Sequence, residues 1–322
     1  MSEQFSDVGR GITLCYETFG EPSDPTALLV MGLGTQMIAW QNDFCEQLAA
    51  RGLHVVRFDN RDIGRSSHTA GPPPTIPQLL LRSPRAARYD LGDMADDAAA
   101  LLDELALAPA HVIGASMGGM IAQTLAARHP RSVRSLVSIM SNTGSRTSGQ
   151  PSLSLYSVFL RRAPRERDAF IEHVVRVFHA IGSPGFARED DAIRELATQS
   201  YERDRDPAGT GRQLAAIMAS GDRTVELRGI GVPTLVIHGS ADRLVSPSGG
   251  RATARAIPGA QLMLIPGMGH DLPRGAWAQI ISAIAEHAQR AQHSDARASE
   301  RVTDGSGHPA LQARPTAPGL QG

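Results

Sequence analysis

Residues 112–120 read VIGASMGGM. A short apolar run, HVIGA (111–115), breaks into a cluster of small residues around Ser116, and 117–128 is rich in Ala, Met and Leu at helical spacing. The stretch is therefore a strand, a G-x-S-x-G turn and a helix, the setting in which that motif carries chemical meaning. A sharp strand-to-helix turn holds its serine in a strained backbone conformation. Gly114 and Gly118 keep neighbouring side chains from colliding there. The hydroxyl emerges at the carboxyl end of the strand, beside a helix N-terminus that favours developing negative charge. Ser116 is the candidate nucleophile.

A serine hydroxyl is a weak nucleophile at neutral pH and needs an adjacent base. With the chain order serine, acid, histidine, two loops qualify. His270, in PGMGHDLP, follows the apolar run QLMLIP (261–266), and Asp242, in HGSADRLVSP, follows TLVIHG (234–239). Both follow strands, so both belong to the same end of a parallel sheet as Ser116. His270 is the expected general base and acid; Asp242 is expected to fix its tautomer and stabilise the imidazolium. The other histidines lack this setting. His111 lies in a strand, His173 and His179 on a helix, and His238 in the strand before Asp242, read as a core or supporting group. Asp271, next to His270, is expected to point elsewhere. The loop after the strand 133–140 reads Ser141-Asn142 and offers no carboxylate.

A tetrahedral intermediate needs two donors for its oxyanion. One is expected to be the N–H of Met117. The other is assigned to the N–H of Leu33, in the loop MGLGTQ (31–36), where Gly32 and Gly34 allow close approach. Gly32 and Trp40 are expected beside the substrate, with Met117 at the mouth of its pocket.

Working outward, ITLCYETF (12–19), ALLVM (27–31), HVVRFD (54–59) and VRSLVSIM (133–140) read as further strands. Helical spacing covers 40–50, 91–107 and about 274–290. Asp93, Asp96 and Asp97 lie near the start of the second of these, where carboxylates suit the helix dipole. Strand alternates with helix, which predicts an α/β protein with a mostly parallel sheet covered on both faces. The middle differs: 143–228 is Arg-rich and helical in pattern, so it is expected to be a helical cap inserted into a core formed by 1–142 and 229–292. Phe159, Phe170, Val177 and Phe178 are candidate cap linings. Arg161, Arg162, Arg165 and Arg167 read as a solvated face. Residues 293–322 have the composition of a disordered tail.

The 322 residues carry a formal net charge of −1, so there is no global field to attract nucleic acid or an anionic membrane. Cys15 and Cys45 sit in no metal-binding spacing, and a bridge between them stays open. There is neither a secretory signal pattern nor an apolar run of about 18 residues, so a cytoplasmic protein without membrane insertion is expected.

Together these residues resemble the α/β-hydrolase family over about residues 10–290. DNRDIGRS (59–66) is similar to that family's D-x-R-G-x-G-x-S turn, with Asp62 in place of a glycine, and Met31 stands where many members carry His. VMGLGTQMIAW (30–40), FDNRDIGRS and GMGHDLP most resemble bacterial esterases of the aclacinomycin methylesterase type. The resemblance implies hydrolysis of a small-molecule carboxylic ester with no metal or cofactor, the ester being bulky and held under the cap. The same triad also serves perhydrolase or haloperoxidase-like enzymes and C–C bond hydrolases. A non-catalytic ligand-binding protein on this fold is the remaining alternative.

Overall fold

The computed structural model describes residues 2–75, 77–78, 87–155, 164–204 and 206–304, with side chains as far as 294. Its centre is one eight-stranded sheet in the order β1-β2-β4-β3-β5-β6-β7-β8. The strands are β1 (Gln4–Asp7), β2 (Thr13–Phe19), β3 (Thr26–Val30), β4 (His54–Phe58), β5 (Ala110–Ala115), β6 (Val133–Ile139), β7 (Thr234–Gly239) and β8 (Gln261–Ile265). β1 pairs antiparallel with β2 and β2 with β4; every other pairing is parallel. The fold is thus an α/β-hydrolase fold. Its strands are near-continuous apolar runs because both faces of the sheet are covered.

Alternation along each strand divides the core in two. Leu28, Val30, Val56, Phe58 and Val112 face one layer; Ala27, Leu29, Val55, Ile113 and Ala115 face the other. The first layer is closed by α2 (Leu91–Glu104) and α3 (Met117–Arg128). The second is closed by α1 (Asn42–Ala49) and the terminal helix α9 (Arg274–Asp304). Between β6 and β7 lie α4 (Arg167–Ile181), α5 (Asp190–Arg203), α6 (Ala208–Ser220) and α7 (Thr224–Leu227). Between β7 and β8 lies α8 (Pro247–Ala256). α9 runs well past 290 and includes residues 293–304, the start of the stretch that composition marks as a tail; 305–322 lie outside the described residues. β1 is absent from the sequence reading because it is short and exposed, so its residues show no apolar alternation.

The acidic start of α2 divides into separate jobs. Asp90 caps the helix, accepting from the N–H groups of Gly92 and Asp93 at 2.7 and 3.0 Å, while the Asp93 side chain accepts from the Asp90 N–H at 2.9 Å. This is a reciprocal capping box. Asp97 is not at the helix surface at all. It is buried and takes two hydrogen bonds from Arg61, at 2.5 and 2.6 Å. Arg61 also stacks over Tyr89, 5.0 Å from the ring centroid.

The helices between β6 and β7 are held to the core by charge. Arg203 of α5 pairs with the fully buried Asp59 at 2.7 Å, and Arg212 of α6 pairs with Asp62 at 2.8 Å. The Gly64 N–H donates to Asp204 at 3.1 Å. All three core partners belong to DNRDIGRS. Asp62 occupies the left-handed region at φ 68°, as the glycine it replaces would. Its carboxylate both takes Arg212 and accepts from the Thr69 N–H at 2.6 Å. The departure from the family pattern is therefore used to hold α6.

Removing one partner of a buried, bidentate ion pair leaves the other uncompensated. Asp97→Ala is expected to lower unfolding free energy in urea by about 3–5 kcal/mol. The exposed neighbour Asp103→Ala should stay within about 0.5 kcal/mol of the parent.

Candidate active site

Ser116 sits between β5 and α3 at φ 56°, ψ −120°, outside the regions an L-residue adopts freely. Packing imposes this geometry. A Cβ added to Gly118 would lie 2.1 Å from the Val30 carbonyl oxygen, and one added to Gly114 would lie 2.1 Å from that of Gly118. α3 is therefore pressed against the ends of β3 and β5, and the chain must turn within one residue. The Ser116 N–H donates to the Ile139 carbonyl at 2.9 Å, which ties the turn to β6. The hydroxyl is left half-buried at the carboxyl edge of the sheet, where open α/β sheets place their ligands.

The loops after β7 and β8 reach the same place. His270 Nε2 lies 2.9 Å from Ser116 Oγ, and His270 Nδ1 lies 2.7 Å from Asp242 Oδ2. A carboxylate can only accept, so Nδ1 carries the proton and Nε2 is left to accept from the serine. Asp242 is buried, and its Oδ1 accepts from the N–H groups of Leu244 and Val245, each at 2.9 Å. Burial acts to raise its pKa, but the charge of His270 and hydrogen bonds from His238 and His270 outweigh that and bring it down to about 2. Asp242 thus remains a carboxylate at any ordinary working pH.

His238 is completely buried below this acid, its Nε2 2.8 Å from the Val245 carbonyl and 3.4 Å from Asp242 Oδ2. It belongs to the support of the carboxylate. The Asp271 carboxylate is engaged by Ser183, just past the end of α4, whose hydroxyl donates to it and accepts from the Gly269 N–H at 2.8 Å. The His270 N–H donates to the Ile181 carbonyl at 2.8 Å. The histidine loop is therefore stitched to α4 across nearly ninety residues of chain, a contact for which no local sequence signal exists.

The loop after β3 lies against the nucleophile: a Cβ on Gly32 would be 3.1 Å from Ser116 Cβ. Leu33 and Met117 both border the space in front of Ser116. Met117 is the first residue of α3, so its N–H has no acceptor one turn back within the helix. The space is a cavity of about 920 Å³, with Met120, Met140, Val177, Phe178, Leu196, Leu214, Ile217 and Met218 on its walls. This is ample for a bulky apolar ligand. Of the expected cap linings, Val177 and Phe178 face it, Phe170 packs on Tyr201 with ring centroids 5.5 Å apart, and Phe159 lies outside the described residues, as do Arg161 and Arg162.

Trp40 is a correction. It does not border the cavity; it is fully buried on the other side of its turn, 5.4 Å from the Phe44 ring, which in turn meets Trp277 edge-on. Arg57 donates to the Trp40 carbonyl and to Glu17, which turns this residue into the core, while Ala39 and Gln41 beside it face the cavity. The cysteines are both free and buried. Among the described residues, no group of three or more His, Cys, Asp or Glu side chains is arranged to hold a metal ion, and no helix is long and apolar enough to cross a membrane.

The lowered pKa of Asp242 has a consequence for stability. A carboxyl group whose folded pKa is depressed contributes stability above its unfolded value, and that contribution is lost as pH falls through the folded value. Between about pH 4 and pH 2, wild type is expected to lose about 2 kcal/mol more unfolding free energy than Asp242→Asn. Denaturant unfolding at a series of pH values checks this.

Residues 25–273 match the family model described as alpha/beta hydrolase fold. Rhodomycin D methylesterase DauP from Streptomyces sp. (strain C5) is 29% identical over 301 residues, spanning 87% of this chain and 96% of that protein. The 3-oxoadipate enol-lactonase 2 of Acinetobacter baylyi is 26% identical, over 75% of this chain and 80% of its own length. Among solved structures, esterase RhEst1 from Rhodococcus sp. ECU1013 superposes with a TM-score of 0.71 at 20% identity, covering 90% of this chain and 99% of that one.

Proposed function

The chain belongs to the alpha/beta hydrolase fold family, and on that premise we propose that it hydrolyses carboxylic esters through an acyl-enzyme on Ser116. The observation that carries this reading is the unbroken hydrogen-bonded line from Ser116 Oγ through His270 to Asp242, at 2.9 and 2.7 Å, opening on an apolar cavity. The likeness to a methylesterase over 87% of the chain supports an ester as the substrate.

On this reading, His270 Nε2 takes the Ser116 proton as Oγ attacks the ester carbonyl. The imidazolium that forms is stabilised by Asp242, which stays ionised. Charge developing on the carbonyl oxygen is received by the N–H groups of Leu33 and Met117. One such donor lowers the barrier by about 2.7–4 kcal/mol. His270 returns its proton to the leaving alcohol. Water, activated by the same nitrogen, then attacks the acyl-enzyme and releases the acid. Residues 143–228 act as a cap over the substrate, with the core made by 1–142 and 229–292. The cavity suits a bulky, largely apolar ester.

Wild type is expected to turn over a p-nitrophenyl ester series from acetate to palmitate, with a preferred length that sizes the cavity. Ser116→Ala should lower turnover by about 10⁶, to background. A phosphonate ester should label Ser116, seen as a mass increment on its peptide. Silence of wild type on every chain length, with no labelling, would sink the reading and turn attention to peroxide-dependent or C–C bond chemistry.

A further inference from the structure

Gln213 is completely buried in the middle of α6, far in sequence from any strand end. Its two amide ends are both used. Oε1 accepts from the Gly34 N–H at 2.9 Å, and Nε2 donates to the Arg61 carbonyl at 2.8 Å. The partners fix which way the amide faces, because a backbone N–H demands an oxygen and a carbonyl demands an N–H. Gln213 therefore links the loop 32–35 to the DNRDIGRS turn through a residue of the inserted helices.

Asn60 holds the near end of the loop through the Met31 carbonyl at 2.9 Å and Asp59 the far end through the Met37 N–H at 2.7 Å; between these anchors Gln213 is the side chain that takes the Gly34 N–H. The loop's own closing bond, Thr35 N–H to the Gly32 carbonyl, is 3.3 Å long. Gly34 is at φ 64°, and a Cβ there would lie 2.8 Å from the Thr210 side chain, so α6 rests directly on the loop. On the opposite side Gly32 lies against Ser116. Leu33 therefore lies between Gly32, packed against the nucleophile, and Gly34, whose N–H is held by Gln213. Leu214, next to Gln213, and Ile217, one turn further along α6, face the cavity. The helix that would touch the body of a substrate is the helix that orients this loop.

We infer that Gln213 is a positioning residue: it sets the direction of the Leu33 N–H toward the oxyanion, and does so from the cap rather than from the core. This rests on the proposed role of Leu33 as an oxyanion donor. A donor needs alignment to within a few tenths of an ångström to act, and loss of one outright costs about 10²–10³ in turnover. A loosened donor should cost less than a missing one.

Gln213→Met keeps the volume and removes both hydrogen bonds. Gln213→Asn keeps the amide but is one methylene too short to reach both partners. Gln213→Glu keeps the acceptor for Gly34 and, as the neutral acid favoured by complete burial, supplies an O–H donor for the Arg61 carbonyl. On a p-nitrophenyl ester, Gln213→Met and Gln213→Asn are expected to lower kcat by about 10–100-fold with KM within about threefold. Inactivation by a phosphonate ester, whose oxygen occupies the oxyanion position, should slow by a similar factor. The pH midpoint of kcat/KM should not move, since His270 is untouched. Gln213→Glu should recover most of the lost kcat, and if Gln213→Met fails to fold, Gln213→Asn takes its place in the comparison. The inference is overturned if folded Gln213→Met or Gln213→Asn turns over within twofold of wild type, if the loss lies in KM alone, or if Gln213→Glu is as slow as Gln213→Met. Ser116→Ala, assayed alongside, separates the two levels. If it is inactive while Gln213→Met matches wild type, only the positioning role fails. If Ser116→Ala itself turns over, the nucleophile assignment fails and takes this inference with it.

Discussion

Gly118 sits against the Val30 carbonyl with no room for a side chain, and much of the structure depends on that contact. It lets α3 start where β5 ends, and so forces Ser116 to φ 56° with its hydroxyl pointing out of the sheet. The same close approach puts the first turn of α3 beside the loop after β3. The strain at one residue is offset by a well-filled layer beneath it: Ile121 and Leu125 of α3 and Val112 of β5 are all fully buried. A loosely packed α3 would let the turn relax and would move the hydroxyl away from His270.

The second organising feature is the use of charge to join the inserted helices to the core. Apolar contact would tolerate sliding, whereas Arg203–Asp59 and Arg212–Asp62 have one good geometry each. Their interior location makes each pair costly to break, because loss of one partner leaves the other charge uncompensated. Asp59 is used twice over, since it also accepts from the Met37 N–H at 2.7 Å and so holds the far end of the loop that starts at Gly32. The DNRDIGRS turn is consequently a junction at which the inserted helices and the loop at Ser116 meet.

These joins explain why part of the site was legible in the chain and part was not. Strand ends can be found from apolar runs, and the groups that follow them (Ser116, Asp242, His270) can be placed at one edge of a parallel sheet without coordinates. Loops after strands carry their residues in local sequence order, so a local reading finds them. Gln213 and Ser183 carry no such mark. A buried glutamine on a helix looks like any polar position until the partner on another segment is known. Trp40 illustrates the opposite failure: it stands in the right loop, yet the Arg57 hydrogen bond to its carbonyl and the ring of Phe44 draw it into the core.

By itself the sequence determined the class of fold, the positions along the chain of the strands from β2 to β8, the strained turn at Ser116 and the set of groups able to meet it. Each of these follows from short-range rules: period, apolar run length, glycine where a Cβ cannot fit. Only the tertiary structure decided the distances from Ser116 to His270 and from His270 to Asp242, the volume and walls of the cavity, and the attachment of the inserted helices. Those depend on residues tens to hundreds of positions apart. A buried polar group finds its partner through the packing of whole layers, which no local window of the chain contains.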